Sequence, residues 1–355
     1  MKKLNRIILI SIAVCTSSIS FSQTKSDSLL NAYLEKSKAV GIVAGYTSDS
    51  KKWISSAGYK NLSNQELLEV DTRIRIASIT KTMTAVAILQ LAESGKINLD
   101  VSIDSYFDGV SDSHGKITIR QLLNHSSGIR AYKSSKEREN KLSYENLEHA
   151  YSIVKDDPLE IEPGSTFSYS SYGYVLLGII IEESSGLSYE EYLAKNIWEP
   201  LEMSSTGVEY LNVVDQSFSE LYHKSSNGKV KMAKIRTNLS DRIPAGGVYS
   251  TVGDVLLFGE GILNGKLISK ESFNEMITDS GLKKEGNPYG FGVYLYGENP
   301  KYGNVVGHSG TQIGASAQLM LLTNQKAAVF VASNTSGVWE DMFYLNLLLF
   351  SEVCK

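Results

Sequence analysis

Cysteine is almost missing from this sequence: Cys15 and Cys354 are the two among 355 residues. The first falls inside an N-terminal leader described below, which leaves Cys354 alone. No intrachain disulfide can then staple the fold, and a packed core has to hold it. Histidine is sparse too. His114, His125, His149, His223 and His308 show neither HExxH nor any comparable ligand spacing, so no metal site and no cofactor are expected. Basic clusters are lacking and the formal net charge is −4, a poor match for nucleic acid or an anionic membrane. Internal repeats and a Gly-x-Ser-x-Gly elbow are also absent, which leaves an α/β-hydrolase triad without support.

What is present begins with the leader. Lys2, Lys3 and Arg6 precede the apolar run Ile7 to Val14, and Ser20 and Ser22 stand at small-residue positions before Gln23. This pattern predicts a secretory signal peptide over 1–22, too short to serve as a membrane anchor. The remainder carries about −7 and is expected to be periplasmic or secreted. Lipid attachment at Cys15 is the minority alternative, because Val14 stands where a small residue is expected.

Beyond the leader, 42% hydrophobic and 21% charged residues describe an ordinary globular chain. "GIVAGYTS" and "KWISSAGYKNL" read as strands near the start, after a helix over 26–38. Successive strands return at "YGFGVYLYG", "NVVGHSG", "GASAQLMLLTN" and "KAAVFVASN", followed by an apolar helix from about Val338 to Phe350. Helical pieces dominate the middle, and "KSSKERENK" reads as a solvated loop. The prediction is therefore α+β: an antiparallel sheet flanked by terminal helices, with a mostly helical insertion. Its parts are 23–77 plus 287–355 for the sheet and 78–286 for the insertion, with a cleft between them.

Three motifs carry chemistry. In "IASITKTMTAVAILQLAESGK", Ser78 and Lys81 are three apart at a helix start. That spacing puts a hydroxyl near an amine on one helix face. Ser78 as a cap and Lys81 as a solvated lysine is the plain alternative. Lysine becomes a base only where its ammonium is desolvated, and the apolar run that follows predicts a buried helix. In "FSYSSYGYVLLG", Tyr169 ends an extended piece before a helix and is suited to relaying a proton, or to being one more core tyrosine among 20. In "GHSGTQIGASA", His308, Ser309 and Gly310 lie on a predicted edge strand, and a glycine there admits a close backbone such as a substrate's.

In this order the three motifs resemble those of the serine β-lactamase and penicillin-binding families: SxxK, then Tyr-x-Asn or Ser-x-Asn, then Lys/His-[Ser/Thr]-Gly. The tyrosine and the histidine look like the group of class C β-lactamases and D-alanyl-D-alanine peptidases. The runs "ITIRQLLNHSSGI" and "AGGVYSTVGD" look most like its mitochondrial β-lactamase-like protease branch. The resemblance spans nearly all of 27–353. It implies Ser78 as acylated nucleophile, Lys81 as its base and Tyr169 as proton shuttle. It implies the Ser78 and Thr311 N–H groups as oxyanion hole, with Ser171, His308, Ser309 and Gly310 lining the substrate channel. Ser171 stands where many members have asparagine and is too short to replace it without a backbone shift or a water. His308 replaces a permanent lysine charge with a ring that is mostly neutral at its ordinary pKa.

The function expected is an exported serine hydrolase acting through an acyl-enzyme on amides or esters, of D-amino-acid peptidase or esterase type, with peptidoglycan-derived peptides as candidate substrates. A β-lactamase and a non-catalytic penicillin-binding or acyl-sensing protein are the alternatives. Substrate choice is assigned to the loops around 130–145 and 205–245. "EGILN" at 260–264 echoes a class A β-lactamase pattern but lies too late in the chain, and "HSSG" at 125–128 reads as a structural turn.

Overall fold

The computed structural model describes residues 24–353 apart from 140, 235, 283–285 and 287. The expected leader over 1–22 and Cys354 lie outside the described residues. Thr24 caps helix α1 (Lys25–Ser37) through a reciprocal bond with Asp27. Strands β1 (Gly41–Thr47) and β2 (Lys52–Asn61) form an antiparallel hairpin, and the short β3 (Glu66–Leu67) pairs outside it. The chain then leaves the sheet for a long excursion. This includes α2 (Thr80–Glu93), α3 (Ser171–Ser185) and α4 (Val252–Leu263). It returns as β4 (Tyr294–Asn299), β5 (Gly303–Gln312), β6 (Ala315–Leu322) and β7 (Ala327–Ser333), and ends in α5 (Trp339–Val353).

The seven strands lie in the order β3-β2-β1-β7-β6-β5-β4, and every neighbouring pair is antiparallel. Strand β1 joins β7 with Ile42 opposite Ser333, so the two ends of the chain close one sheet. Side chains alternate between its faces. Ile42, Ala44, Val329 and Val331 point into one cluster with Leu30 of α1 and Met342, Leu345 and Leu349 of α5. Val43, Ala328, Phe330 and Ala332 point into the main core on the other side. Both faces are covered, which is why "KAAVFVASN" reads as unbroken apolar sequence and not as alternation.

Helix α4, which falls in the span expected for the helical insertion, lies on this second face against β7 and β1. Its Gly259 sits so close that a Cβ would stand 2.6 Å from that of Ala328. Helix α2 is buried on nearly every side from Thr80 to Leu89 and packs against α3 and the short helix Ile243–Gly246. Among the described residues no helix is long and apolar enough to cross a membrane.

Phe330 is fully buried between β7 and this core. Phe330→Ala is expected to cost about 3–5 kcal/mol through lost burial and an unfilled cavity. Urea unfolding measures it, and a loss under about 1 kcal/mol would show that this face is not the close-packed one.

Candidate active site

Ser78 lies in the single tight turn Ala77–Ile79 that leads into α2. Ala77, just before it, has φ 49°, in the left-handed region that costs a non-glycine residue about 1–3 kcal/mol. The turn is held from both sides. The Thr80 hydroxyl donates to the Ala77 carbonyl at 2.7 Å. Strand β5 presses on it at Gly310, where a Cβ would meet the Ile76 carbonyl at 2.4 Å and the Ser78 nitrogen at 3.1 Å. Gly310 thus gives room to the serine's own turn, where the sequence reading expected substrate backbone. It also sets the Gly310–Thr311 peptide beside that of Ser78, and Thr311 stands exposed next to it.

Arg75 ties this turn to its surroundings. The fully buried guanidinium meets Glu209 at 2.6 Å and donates to the Thr237 hydroxyl and carbonyl at 2.9 Å each. It also donates to the Ile313 carbonyl, two residues past Thr311, at 3.0 Å. Burial alone would push the Glu209 carboxyl up, but Arg75 and then Arg236 hold it below the usual range.

Lys81 projects from the first turn of α2 into the protein and is fully buried. Its Nζ donates to the Ala245 carbonyl at 2.7 Å and lies 3.3 Å from both Ser78 Oγ and Ser171 Oγ. The ring faces of Tyr169 and Tyr174 stand 5.0 and 5.5 Å from it. Burial lowers its pKa well below the ordinary lysine value, and the nearby Arg242 guanidinium lowers it further. Ser171 reaches the amine directly from the first turn of α3, with no intervening water required. Tyr169 lines the cleft beside Ser78, and burial together with the neighbouring Tyr294 raises its pKa well above ordinary tyrosine.

His308 is brought to the same cleft but turns inward, at 1% exposure. Its Nδ1 faces the Ser309 carbonyl at 2.6 Å and its Nε2 faces the Tyr289 hydroxyl at 2.9 Å. A carbonyl only accepts, so Nδ1 carries the proton, and in the neutral ring Nε2 takes the Tyr289 hydroxyl proton as acceptor. Ser309 is half-buried at the cleft wall.

The cleft of about 300 Å³ brings together Ser78, Tyr169, Ser171, His308, Ser309 and Thr311. The polar lining residues Tyr132, Arg138, Arg242, Tyr294 and Gln312 were not among the predicted site residues. "KSSKERENK" is not only a solvated loop, because Ser134 caps the short helix Ser135–Arg138 there and Arg138 faces the cleft. The "HSSG" turn does structural work beside Tyr169. His125 has φ 59°, its ring centroid is 4.2 Å from that of Tyr169, and its Nδ1 accepts from the Ser170 N–H. In "EGILN", Glu260 bonds Thr47 at the end of β1 and takes no part in the cleft. The one available signal for Arg242 was an Asp-Arg pair just before "IPAGG", and for His125 its place two residues after Leu123 in a run already matched to the family.

A Ser-Lys-Tyr cluster with a buried lysine and a cleft-facing serine and tyrosine, set between an antiparallel sheet and a helical region, is the arrangement of the β-lactamase/transpeptidase-like fold. The profile of the Beta-lactamase family matches residues 27–352, and the chain belongs to that family, whose members are mostly serine hydrolases. The human mitochondrial serine β-lactamase-like protein LACTB is 28% identical, over 84% of this chain and 72% of its own length. The teichoic acid D-alanine hydrolase of Staphylococcus aureus is 27% identical, over 75% of this chain and 64% of its own. Among solved structures, a D-stereospecific amidohydrolase from a Streptomyces species superposes with TM-score 0.76 at 27% identity, covering 90% of this chain and 98% of its own.

The Arg75–Glu209 pair yields a stability prediction. Glu209→Gln leaves a buried guanidinium short of its countercharge and is expected to cost about 3–5 kcal/mol. Denaturant titration reads it, and a change under about 1 kcal/mol would remove the pair from the list of supports of the Ser78 turn.

Proposed function

We propose that this protein is an exported serine hydrolase that cleaves amide or ester bonds through an acyl-enzyme on Ser78. The observation that carries the reading is Lys81: a fully buried amine 3.3 Å from Ser78 Oγ, with a lowered pKa and a like charge as its nearest ionic neighbour. Such an amine is poised as a neutral base at a pH where a solvated lysine is charged. Tyr169 is shifted the opposite way and keeps its proton. Two titratable groups pushed apart by their surroundings assign base and acid roles.

The steps follow from those states. Lys81 takes the Ser78 hydroxyl proton as Oγ attacks the substrate carbonyl carbon. The N–H groups of Ser78 and Thr311 receive the developing oxyanion. Tyr169 gives its hydroxyl proton to the leaving nitrogen or oxygen as the C–N or C–O bond breaks, and the Lys81 ammonium reprotonates it. Water then attacks the acyl carbon and passes a proton to Lys81; the C–Oγ bond breaks as the Lys81 ammonium returns that proton to Ser78 Oγ, and the acid leaves. The D-stereospecific amidohydrolase and the D-alanine hydrolase among the relatives support a D-amino-acid peptidase or esterase type of substrate. Peptidoglycan-derived peptides suit an exported enzyme of this kind.

Two measurements test this. A fluorophosphonate probe is expected to add one adduct to the intact mass of the wild type and none to Ser78→Ala. Lack of any adduct in folded wild type would favour a non-catalytic acyl-binding role. Nitrocefin turnover lost in Ser78→Ala would move the reading to a β-lactamase.

The pH dependence follows from the sign of the Lys81 shift. The base works when deprotonated, so log kcat/KM should climb one unit per pH unit and level off at an apparent pKa below lysine's ordinary 10.5. Tyr169→Phe should lower the rate by 10²-fold or more, the size typical of a lost general acid, and leave that limb in place. A profile still rising through pH 10.5 would assign the base elsewhere.

A further inference from the structure

We propose that the acyl half of the substrate carries a carboxylate, which is bound by Arg242 and Arg138 at the end of the cleft opposite His308. This rests on the serine hydrolase reading above and names its substrate class. The direction of binding comes from Tyr169. It lines the cleft with Ser78, and its ring leans on Tyr289 and His308 at centroid distances of 6.5 and 6.4 Å. The leaving group that Tyr169 protonates therefore lies toward His308 and Tyr294. The acyl remainder runs the other way, past Ser171.

On that side the contacts form a chain. Lys81 touches Ser78, Ser171 and the Ala245 carbonyl. Tyr132 lines the same cleft as Ser171, and Arg242 lies over the Tyr132 ring at 5.0 Å. Arg242 is 5% exposed and is held by Asp241 at 2.8 Å through Nε and by the Arg138 carbonyl through Nη2. A guanidinium has five N–H donors, so among the described residues these acceptors leave donors for a ligand. Asp241 orients the fork from behind and, at 2% exposure, is itself out of a substrate's reach. Arg138 stands at the mouth with a half-exposed side chain, tied among the described residues to Glu139 alone, at 3.3 Å.

Among the described residues that line the cleft, none is aspartate or glutamate. A free ammonium on the acyl group would meet two guanidinium groups and no carboxylate. A planar, partly desolvated fork is matched by a carboxylate, bidentate and charge-assisted. At the other end both ring nitrogens of His308 are directed at groups inside the protein, the Ser309 carbonyl and the Tyr289 hydroxyl, and not at the cleft.

The test uses the full-length protein and p-nitrophenyl esters of N-acetyl-glutamate, N-acetyl-glutamine and N-acetyl-lysine, in D and L forms, with Ser78→Ala as the background. The quantity read is the ratio of kcat/KM values. We expect the glutamate ester to exceed the glutamine ester tenfold or more and the lysine ester to be slowest, in the preferred configuration. Arg138→Gln, at an exposed site that folding does not depend on, should lower the glutamate-to-glutamine ratio severalfold. Arg242→Gln combined with Asp241→Asn, which avoids an unpaired buried acid, should bring it to about one. Raising salt should lower the wild-type ratio. Equal rates for the three esters, or a glutamate preference that survives both variants, would overturn the proposal while leaving Ser78 chemistry standing. Failure of wild type to exceed Ser78→Ala on every ester would overturn both.

Discussion

A lysine amine buried without a carboxylate is the constraint around which this molecule is built. An ammonium at that depth is costly unless it is paired, so burial lowers the pKa of the group. Pairing Lys81 with an acid would stabilise the charged form and remove the base. The site instead surrounds it with a carbonyl, two hydroxyls and two tyrosine faces. That environment requires α2 to be embedded on nearly all sides, and a helix so embedded requires a second layer, which α3 and the short helix Ile243–Gly246 supply. The helical excursion and the desolvated amine are thus one requirement seen at two scales.

The serine has a different requirement, because its turn must be reachable and yet fixed. Ala77 in a left-handed conformation is unfavourable by itself and persists only where its neighbours over-determine it. Gly310 of β5 presses on one side, and Arg75 anchors the approach from three residues upstream. The same guanidinium reaches the carbonyl of Ile313 beyond Thr311. One buried cation therefore spaces the two peptides proposed as oxyanion donors. Its cost of desolvation is offset by Glu209 and by neutral acceptors, which is the condition under which a buried charge is tolerated.

Much of this was legible in order along the chain. The strands at both ends, the largely apolar α2 and the terminal helix follow from periodicity and spacing, because those signals are local, whereas the three motifs stand out through their resemblance to a known family. The position of α4 was not legible, since an apolar helix does not say which apolar face it will meet. Three side-chain details were hidden for a related reason. Ser171 is short, yet the packing of α3 on α2 carries it within 3.3 Å of the amine. His308 occupies the strand position of a charge-bearing residue, yet Tyr289, nineteen residues earlier, takes its second nitrogen. Arg138 and Arg242 do fall in the two loops assigned to substrate choice, but that they share one wall depends on the contact between those loops.

The electrostatics of that wall bear on the chemistry beside it. Arg242 is the cation that adds to burial in lowering the Lys81 pKa. In the proposed mechanism Lys81 takes the serine proton, two positive charges then face each other in a poorly solvated site, and the repulsion that favours the free base opposes the step it would perform. A neutral acyl group leaves that repulsion in place. A carboxylate on Arg242 would screen it after the substrate has bound, and the developing oxyanion adds to the same compensation. Such a substrate would also raise the Lys81 pKa in the complex relative to the free enzyme. Its acidic limb in kcat would therefore sit at higher pH than the limb in kcat/KM, whereas a neutral substrate would show little separation. The arginine would then act on either side of the proton transfer, keeping the amine free of its proton until a substrate of matching charge arrives.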